Sequence, residues 1–261
     1  MNSARRPRRF FSDIPLTGEG QTLRLPSSET RHIRKTLRLQ PGDSILITDG
    51  QGHEGLARIE AFEETGEARV FLSQVISQQE PVSDLPALRL FSAFAAKGVM
   101  EELVEKCQEL GVTEFYPLLT ERTAVALAGE KEGKVLERWY KIAREAAKQS
   151  GNARLVQLSA PLALEAAFKI IPLGEEAVFF HPEPESGLPV KIWLQQSAGA
   201  RPAGVNLFIG PEGGFTRREL DAAKAAAQRK GSRFVQIWLG PATLRVSTAA
   251  VAAVSAVKFL R

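Results

Sequence analysis

From residue 87 onward, strand-length apolar segments alternate with amphipathic helices, and this alternation constrains the fold more than any other feature of the sequence. The predicted strands are 88–94, 115–119, 178–180, 205–209 and 234–239, and the predicted helices are 97–110, 131–150, 216–229 and 248–260. A helix between successive strands acts as a crossover connection, which makes the strands parallel and covers the sheet with helices. We therefore predict an α/β domain with a mainly parallel sheet.

The first 77 residues have a different pattern, in which short strands are separated by turns. The predicted strands are 8–11, 44–48, 53–62 and 67–75. Pro41-Gly42-Asp43 and residues 49–52 are typical turn sequences. Ser27 or Ser28 is expected to cap one short helix that runs to Leu37. This pattern predicts a small β-barrel with a basic helix on its flank.

The change of pattern suggests where the chain divides. Residues 78–86 are polar and contain Pro81 and Pro86, a composition that is typical of a linker. We therefore predict a barrel domain at 1–77, a linker at 78–86 and the α/β domain at 87–261.

Basic residues are concentrated at the amino-terminal end. Residues 1–38 contain nine Lys or Arg and three acidic residues, a formal charge of +6, although the whole chain carries +4. Such an asymmetry is typical of a region that meets a polyanion such as a nucleic acid. A solvated basic tail explains the charge equally well, so both interpretations stay open at this point.

Other residue types argue against several classes of protein. Cys107 is the only cysteine, which favours a reducing compartment. The three histidines, His32, His53 and His181, are far apart, so no metal site is predicted. No apolar stretch reaches the length of a signal segment or of a membrane span. We expect a cytoplasmic protein that uses neither a metal nor a membrane.

The strongest local signal is a glycine-rich turn at 210–214, which follows the predicted strand 205–209. Thr216 and Glu219 form the T-x-x-E pattern of a capping box, so a helix begins directly after the turn. Ligands of α/β sheets bind at the carboxyl ends of the strands. The turn lacks the Lys and Ser/Thr of a P-loop and the G-x-G-x-x-G of a dinucleotide site. We interpret it as a ligand loop rather than a plain tight turn.

A second strand ends in the same way about thirty residues later. The predicted strand 234–239 runs into Gly240, and a helix is expected to follow with Ser247 or Thr248 as its N-cap. Two such loops at adjacent strand ends could hold a flat ring between their main chains. The sequence therefore predicts one ligand cleft between the two loops.

Taken in order, these segments resemble the SPOUT methyltransferases, and most closely the family that methylates N3 of a uridine in 16S rRNA (the RsmE family). The segments that carry the resemblance are 8–11, 32–39, 41–43, Lys97, 106–112, Pro117, 120–122, 145–151, 210–214 and 239–241. Each is weak alone, but together they cover nearly the full chain in the expected order.

The resemblance implies a PUA-like barrel that docks RNA, and a domain that holds S-adenosylmethionine (SAM) in a C-terminal trefoil knot. It also implies a homodimer that acts on 16S rRNA within the small ribosomal subunit or its precursor. The expected SAM contacts are Ile209, Gly210, Gly213, Gly214, Leu239, Gly240, Leu244 and Thr248, with His181 as a further candidate. The expected RNA contacts are Arg5, Arg6, Arg8, Arg9, Arg31, Arg34, Lys35, Lys97 and Arg122.

Two residues are candidates for the chemistry itself. Arg245 is expected to stabilise negative charge on a uracil oxygen, and Glu212 to act as the base. A carboxylate in a glycine loop could instead accept main-chain N–H bonds, so the role of Glu212 stays open.

The second loop departs from the family pattern, because Ala242 and Ser247 stand where an arginine and a glutamate are usual. An alternative is therefore a ribosome-assembly protein that binds RNA and SAM with weak or no catalysis. A third possibility, a SAM-dependent methylase of proteins or small molecules, leaves the basic barrel without a use.

Overall fold

The computed structural model describes residues 8–78, 87–123, 131–181, 183, 187–197 and 204–260. The chain forms two compact units, one of residues 1–83 and 147–155, the other of residues 84–146 and 156–261. Arg5, Arg6 and all but the first residue of the predicted linker lie outside the described residues. No helix in the described ranges is long and apolar enough to cross a membrane.

The first unit is built on a five-stranded sheet. Its strands are β1 (Arg9–Phe11), β2 (Thr22–Leu25), β3 (Ser44–Thr48), β4 (His53–Phe62) and β5 (Ala68–Gln78). They are ordered β1-β3-β4-β5-β2, with β1 parallel to β3 and the other pairs antiparallel. Three register shifts between β4 and β5 mark irregular pairing, which bends a sheet. Apolar residues of all five strands form a core together with Ile33.

The helix of this unit differs from the predicted one at both ends. Pro26 is the N-cap and no side chain caps the helix, so the predicted cap at Ser27 or Ser28 is wrong. Helix α1 (Ser27–Arg31) continues as a π-helical turn, His32–Thr36. Leu37 is the C-cap of this turn, the following Arg38 has a φ of +56°, and the Leu39 N–H donates to the Ile33 carbonyl at 3.1 Å. Among the described residues, Arg38 is the only non-glycine with a positive φ.

The second unit contains an eight-stranded sheet, and its strand pairs are all parallel, as the alternating pattern predicts. The strands are β6 (Ala87–Ala93), β7 (Glu114–Leu119), β8 (Gln157–Leu158), β9 (Leu162–Ala163), β10 (Glu176–Phe180), β11 (Leu188–Pro189), β12 (Gly204–Ile209) and β13 (Phe234–Trp238). Their order is β11-β13-β10-β12-β6-β7-β8, and β9 also pairs with β7.

Six helices accompany this sheet in the described ranges: α2 (Lys97–Leu110), α3 (Lys131–Ser150), α4 (Leu164–Ile170), α5 (Val190–Ser197), α6 (Arg217–Arg229) and α7 (Val246–Leu260). Helix α2 ends, as predicted, at Gly111 with φ +71°, and Thr216 caps α6 through the predicted capping box. Helix α7 begins at Val246, so the predicted N-cap at Ser247 or Thr248 is wrong. The Ala249 N–H already donates to the Arg245 carbonyl, which starts the helix earlier.

A stack of aromatic rings crosses the centre of the second sheet. Phe179 of β10 stacks on Phe208 of β12 with 4.2 Å between ring centroids, and Phe208 stacks on Phe91 of β6 at 4.6 Å. Tyr116 of β7 extends the stack at 4.8 Å. Each such pair contributes about 0.5–1.5 kcal/mol beyond its area burial. The stack thus fixes the centre of the sheet next to the carboxyl ends of β10 and β12.

A buried charge network lies at the opposite, amino end of the same strands. The Arg89 guanidinium contacts Glu114 at 2.7 Å and Glu175 at 2.6 Å, and the Asn206 amide donates to Glu175 at 3.0 Å. The Arg89 and Glu175 side chains are only 12% and 5% exposed. A Cβ at Gly204 would meet the Glu175 carboxylate at 2.4 Å, so glycine is needed there.

Candidate functional site

The candidate site lies at the carboxyl ends of three neighbouring strands. Strand β10 runs between β12 and β13, so the two glycine loops flank it rather than follow adjacent strands, and the expectation of adjacent strands is corrected. The connection through α6 carries the chain past β10 before β13 begins. His181, which directly follows β10, therefore lies between the two loops.

The loops enclose one cleft. Its space is about 510 Å³ when the open mouth is included, and only a small part of this lies between the loops, so the cleft is a narrow slot. The lining residues are Phe180, His181, Ile209, Gly210, Pro211, Glu212, Gly214, Leu239, Gly240, Ala242, Thr243, Leu244, Val246 and Ala249. Seven of the nine expected cofactor contacts are among them; Gly213 and Thr248 are not.

The first loop has two glycines that no other residue could replace without strain. Gly214 has a φ of +69°, and its N–H donates to the Pro211 carbonyl at 2.7 Å. A Cβ at Gly210 would lie 3.1 Å from the Phe215 ring and main chain. Since both positions need the small residue, the main chain itself forms this wall of the cleft.

The second loop turns at Gly240, whose φ is +138°. An added Cβ there would have no atom within 4 Å, so the substituent would project into open space. Arg245 and Thr248 are exposed and lie outside the residues that line the cleft. Glu212, which does line the cleft, is also exposed.

Partial burial favours the neutral form of the His181 side chain. Burial lowers the pKa of its imidazole below the usual 6.5; Glu183 opposes the shift and Arg122 adds to it. Its Nδ1 accepts a hydrogen bond from the Glu183 N–H at 3.2 Å, which places the proton of the neutral ring on Nε2. The ring therefore offers one N–H donor at the cleft.

Arg122 contacts the first loop from outside the cleft. It follows β7, and its Nη1 donates to the Gly213 carbonyl. Gly213 itself is exposed and is not among the residues that line the cleft, so its expected SAM contact stays a prediction. Phe180, Thr243 and Ala249 also line the cleft, although they were not predicted as cofactor contacts. Of the three, only Phe180 had a signal in the sequence, because it stands at the end of a strand.

The expected RNA contacts divide into distinct groups. Arg8, Arg31, Arg34 and Lys35 are exposed on the first unit, and the Arg34 guanidinium lies 5.0 Å from the Phe62 ring centroid. Arg9 instead pairs with Glu54 at 2.8 Å and is only 14% exposed, so its charge is neutralised by Glu54 and faces the solvent little. Arg5, Arg6 and the side chain of Lys97 lie outside the described residues. In the part of the chain that the structure describes, no group of three His, Cys, Asp or Glu could hold a metal.

Comparison with known proteins finds relatives over almost the whole chain. Residues 83–258 match an RNA methyltransferase domain and residues 25–64 an RNA methyltransferase PUA domain. Ribosomal RNA small subunit methyltransferase E of Synechocystis sp. is 32% identical over 92% of this chain and 73% of that protein. The protein of the same name from Bacillus subtilis is 26% identical over 92% and 91%. That from Neisseria gonorrhoeae, solved bound to S-adenosyl methionine, is 26% identical with a TM-score of 0.79 over 96% of each chain.

Proposed function

This chain belongs to the family of ribosomal RNA small subunit methyltransferase E, and on that premise we propose that it transfers a methyl group from SAM to N3 of one uridine in 16S rRNA. The observation that carries the proposal is the slot formed by two glycine loops at the carboxyl ends of β12 and β13. The same kind of site binds nucleotides in other open parallel sheets.

The residues present fit SAM. Gly210 and Gly240 have no side chain, so a ligand can approach their main-chain groups closely. Ile209, Leu239 and Leu244 supply apolar walls for a flat ring. The slot reaches the volume range of small-molecule sites only when its open mouth is included. We therefore infer that the loops move apart when a ligand of this size enters.

The chemistry requires a deprotonated uridine. N3 carries a proton and becomes a strong nucleophile only after losing it, while bound SAM supplies the electrophilic methyl group. Glu212 stands at the cleft wall to accept the proton, and Arg245 stabilises the negative charge on a uracil oxygen. Neither side chain has a hydrogen-bond partner among the described residues, so both are available. The target base must be unpaired or flipped out to present N3.

The exposed cations of the first unit provide the docking surface for RNA. Arg8, Arg31, Arg34 and Lys35 would neutralise phosphates, which makes binding sensitive to salt. Because the proposed substrate is ribosomal RNA, we propose that the protein acts in the cytoplasm.

The second unit also bears on the expected knot and on the expected homodimer. Helix α7 follows β13 and packs on α2, β6 and β12, and we propose that this segment belongs to the expected trefoil knot. Phe259 and Leu260 at the end of α7 are 67% and 71% exposed, and Ile192 of α5 is 41% exposed. A second copy of the chain would cover these apolar side chains, and the particle mass in solution tests this homodimer.

Nucleoside mass spectrometry of 16S rRNA tests the assigned reaction. Small subunits from cells that lack the protein should gain one 3-methyluridine per 16S rRNA when the purified chain and SAM are added. Boiled protein and mature, already methylated subunits serve as controls and should gain none. A methyl group on another base contradicts the N3 assignment. SAM binding without any transfer favours the assembly-protein alternative.

Arg38 offers a sharper test of RNA docking by the first unit. An arginine at φ +56° costs about 1 kcal/mol relative to glycine, and such strain often persists at functional positions. Arg38→Gly should therefore raise the free energy of unfolding by roughly 0.5–1 kcal/mol and still weaken binding to small-subunit rRNA about three-fold or more. Denaturant unfolding and a filter-binding assay measure the two effects.

A control variant separates this effect from a general loss of charge. Arg24 is also an exposed arginine of the first unit, 62% exposed and paired with Glu63. Arg24→Ala should change RNA binding less than Arg38→Gly does. Unchanged RNA affinity in Arg38→Gly would show that the arginine has no role in docking.

A further inference from the structure

One buried carboxylate holds the main chains of two separate loops beside the cleft. Glu219 is only 5% exposed. Its Oε2 accepts the Thr216 N–H at 2.7 Å, and its Oε1 accepts the Glu121 N–H at 2.8 Å. Thr216 ends the first glycine loop, whereas Glu121 lies in the loop after β7. The capping box of α6 therefore also anchors a second loop.

Two more contacts join the same loops. The Thr216 hydroxyl donates to Glu121 Oε2 at 2.9 Å and accepts the Glu219 N–H at 3.2 Å. Arg122, the next residue after Glu121, donates to the Gly213 carbonyl. Side chains and main chains of the two loops thus form one closed hydrogen-bonded network, which we call the loop tie (Glu121, Arg122, Gly213, Thr216 and Glu219).

The residues of the loop tie are not among those that line the cleft. Gly210, Glu212 and Gly214 line the cleft, while Gly213 between them faces Arg122. Because the cleft is a narrow slot, a ligand that enters it displaces or fixes the glycine loop. Any such change reaches the loop after β7, since Glu219 holds both. The effect of Arg122 on the pKa of His181 shows that this arginine is close enough to influence the cleft.

We propose that Glu219 is a positioning residue that couples cofactor binding to RNA binding. SAM in the cleft fixes the glycine loop, the loop tie fixes the segment after β7, and Arg122 is thereby held ready for the RNA. This inference rests on the proposed function. By thermodynamic linkage, RNA must then strengthen cofactor binding by the same factor.

The test measures the affinity for small-subunit rRNA with and without S-adenosylhomocysteine, which occupies the cofactor site but has no methyl group to transfer. In the wild-type chain, RNA should bind about five-fold tighter when the cleft is occupied. Glu121→Ala removes the Thr216–Glu121 bond and leaves the capping box intact, so the factor should fall to about two or less. Glu219→Gln retains only one of the two carboxylate acceptors and should lower the factor further.

Arg217→Ala is the matched control, because Arg217 lies on the same turn of α6 but its pair with Asp221 is exposed, at 89% and 66%. Arg217→Ala should keep the five-fold increase in RNA affinity that S-adenosylhomocysteine causes. In turnover assays, Glu121→Ala should raise the KM for RNA and leave kcat near the wild-type value, whereas simple loss of structure lowers both.

The outcomes separate the coupling from the proposed function. Equal RNA affinity of the wild-type chain in the presence and absence of S-adenosylhomocysteine overturns the coupling. An unchanged five-fold increase in RNA affinity in both Glu121→Ala and Glu219→Gln overturns it as well. Failure of the wild-type chain to bind either ligand alone overturns the proposed function instead. Thermal unfolding of each variant identifies any that does not fold, and the milder Glu121→Ala keeps the test decisive if Glu219→Gln is one of them.

Discussion

Gly240→Ala is expected to raise the dissociation constant of SAM about ten-fold or more, a loss of about 1.4 kcal/mol of binding free energy. At φ +138° an alanine is strained by about 1–3 kcal/mol, so the loop either stores the strain or moves. If the loop keeps its conformation, the added methyl group of the alanine projects into space that no protein atom fills. Either way the second wall of the slot changes. Isothermal titration calorimetry of the purified variant with SAM measures the effect.

Gly231→Ala provides the control for backbone strain. Gly231 also has a positive φ, +63°, and an open surrounding, but it lies in the turn after α6 and does not line the cleft. It should lose a similar amount of stability and bind SAM like the wild-type chain. If Gly240→Ala binds SAM with unchanged affinity, the second glycine loop is not part of the cofactor site.

Arg89→Met is expected to lower the free energy of unfolding by about 3–5 kcal/mol. The change removes the cation that neutralises Glu114 and Glu175 and leaves both carboxylates in an environment with little water. Methionine has a similar length, so loss of charge rather than loss of volume dominates. Urea unfolding followed by circular dichroism gives the stability difference.

The exposed pair of Arg217 and Asp221 is the comparison, because surface ion pairs contribute little. Arg217→Ala should leave the unfolding curve almost unchanged. Below its melting temperature, Arg89→Met should still bind SAM, since the network lies at the amino ends of the strands and the cleft at their carboxyl ends. A stability loss below about 1 kcal/mol would mean that the network is solvated.

The sequence predicts the long elements of the second unit well, for a physical reason. Helices α2 and α3 have the predicted bounds because a long amphipathic period leaves little freedom, and Gly111 ends α2 at a left-handed residue. The glycine loops could be predicted because they need residues without a Cβ. The short helices α4 and α5 escape detection, since about two turns provide too little periodicity.

Other features depend on partners that are distant in the sequence. The position of β10 between β12 and β13 follows from strand pairing, which no local pattern encodes. Residues 147–155 belong to the first unit because Leu155 N–H donates to the Gly50 carbonyl and Gln51 bridges to Arg154. Likewise, only the structure shows that Arg9 is paired with Glu54 and that Arg122 reaches Gly213.

The stacked rings of Phe91, Phe179 and Phe208 have a consequence for how this enzyme can diverge. Their centroids are 4.2–4.6 Å apart, close to the spacing of about 4.7–4.9 Å between hydrogen-bonded strands. The rings therefore match the spacing of β6, β12 and β10 and pack this part of the sheet, whichever side chains the loops above them carry. Ala242 is exposed and lines the cleft, whereas Ser247 is buried in the first turn of α7. A replacement at position 242 can therefore change the surface of the second loop while the stacked rings beneath keep their packing.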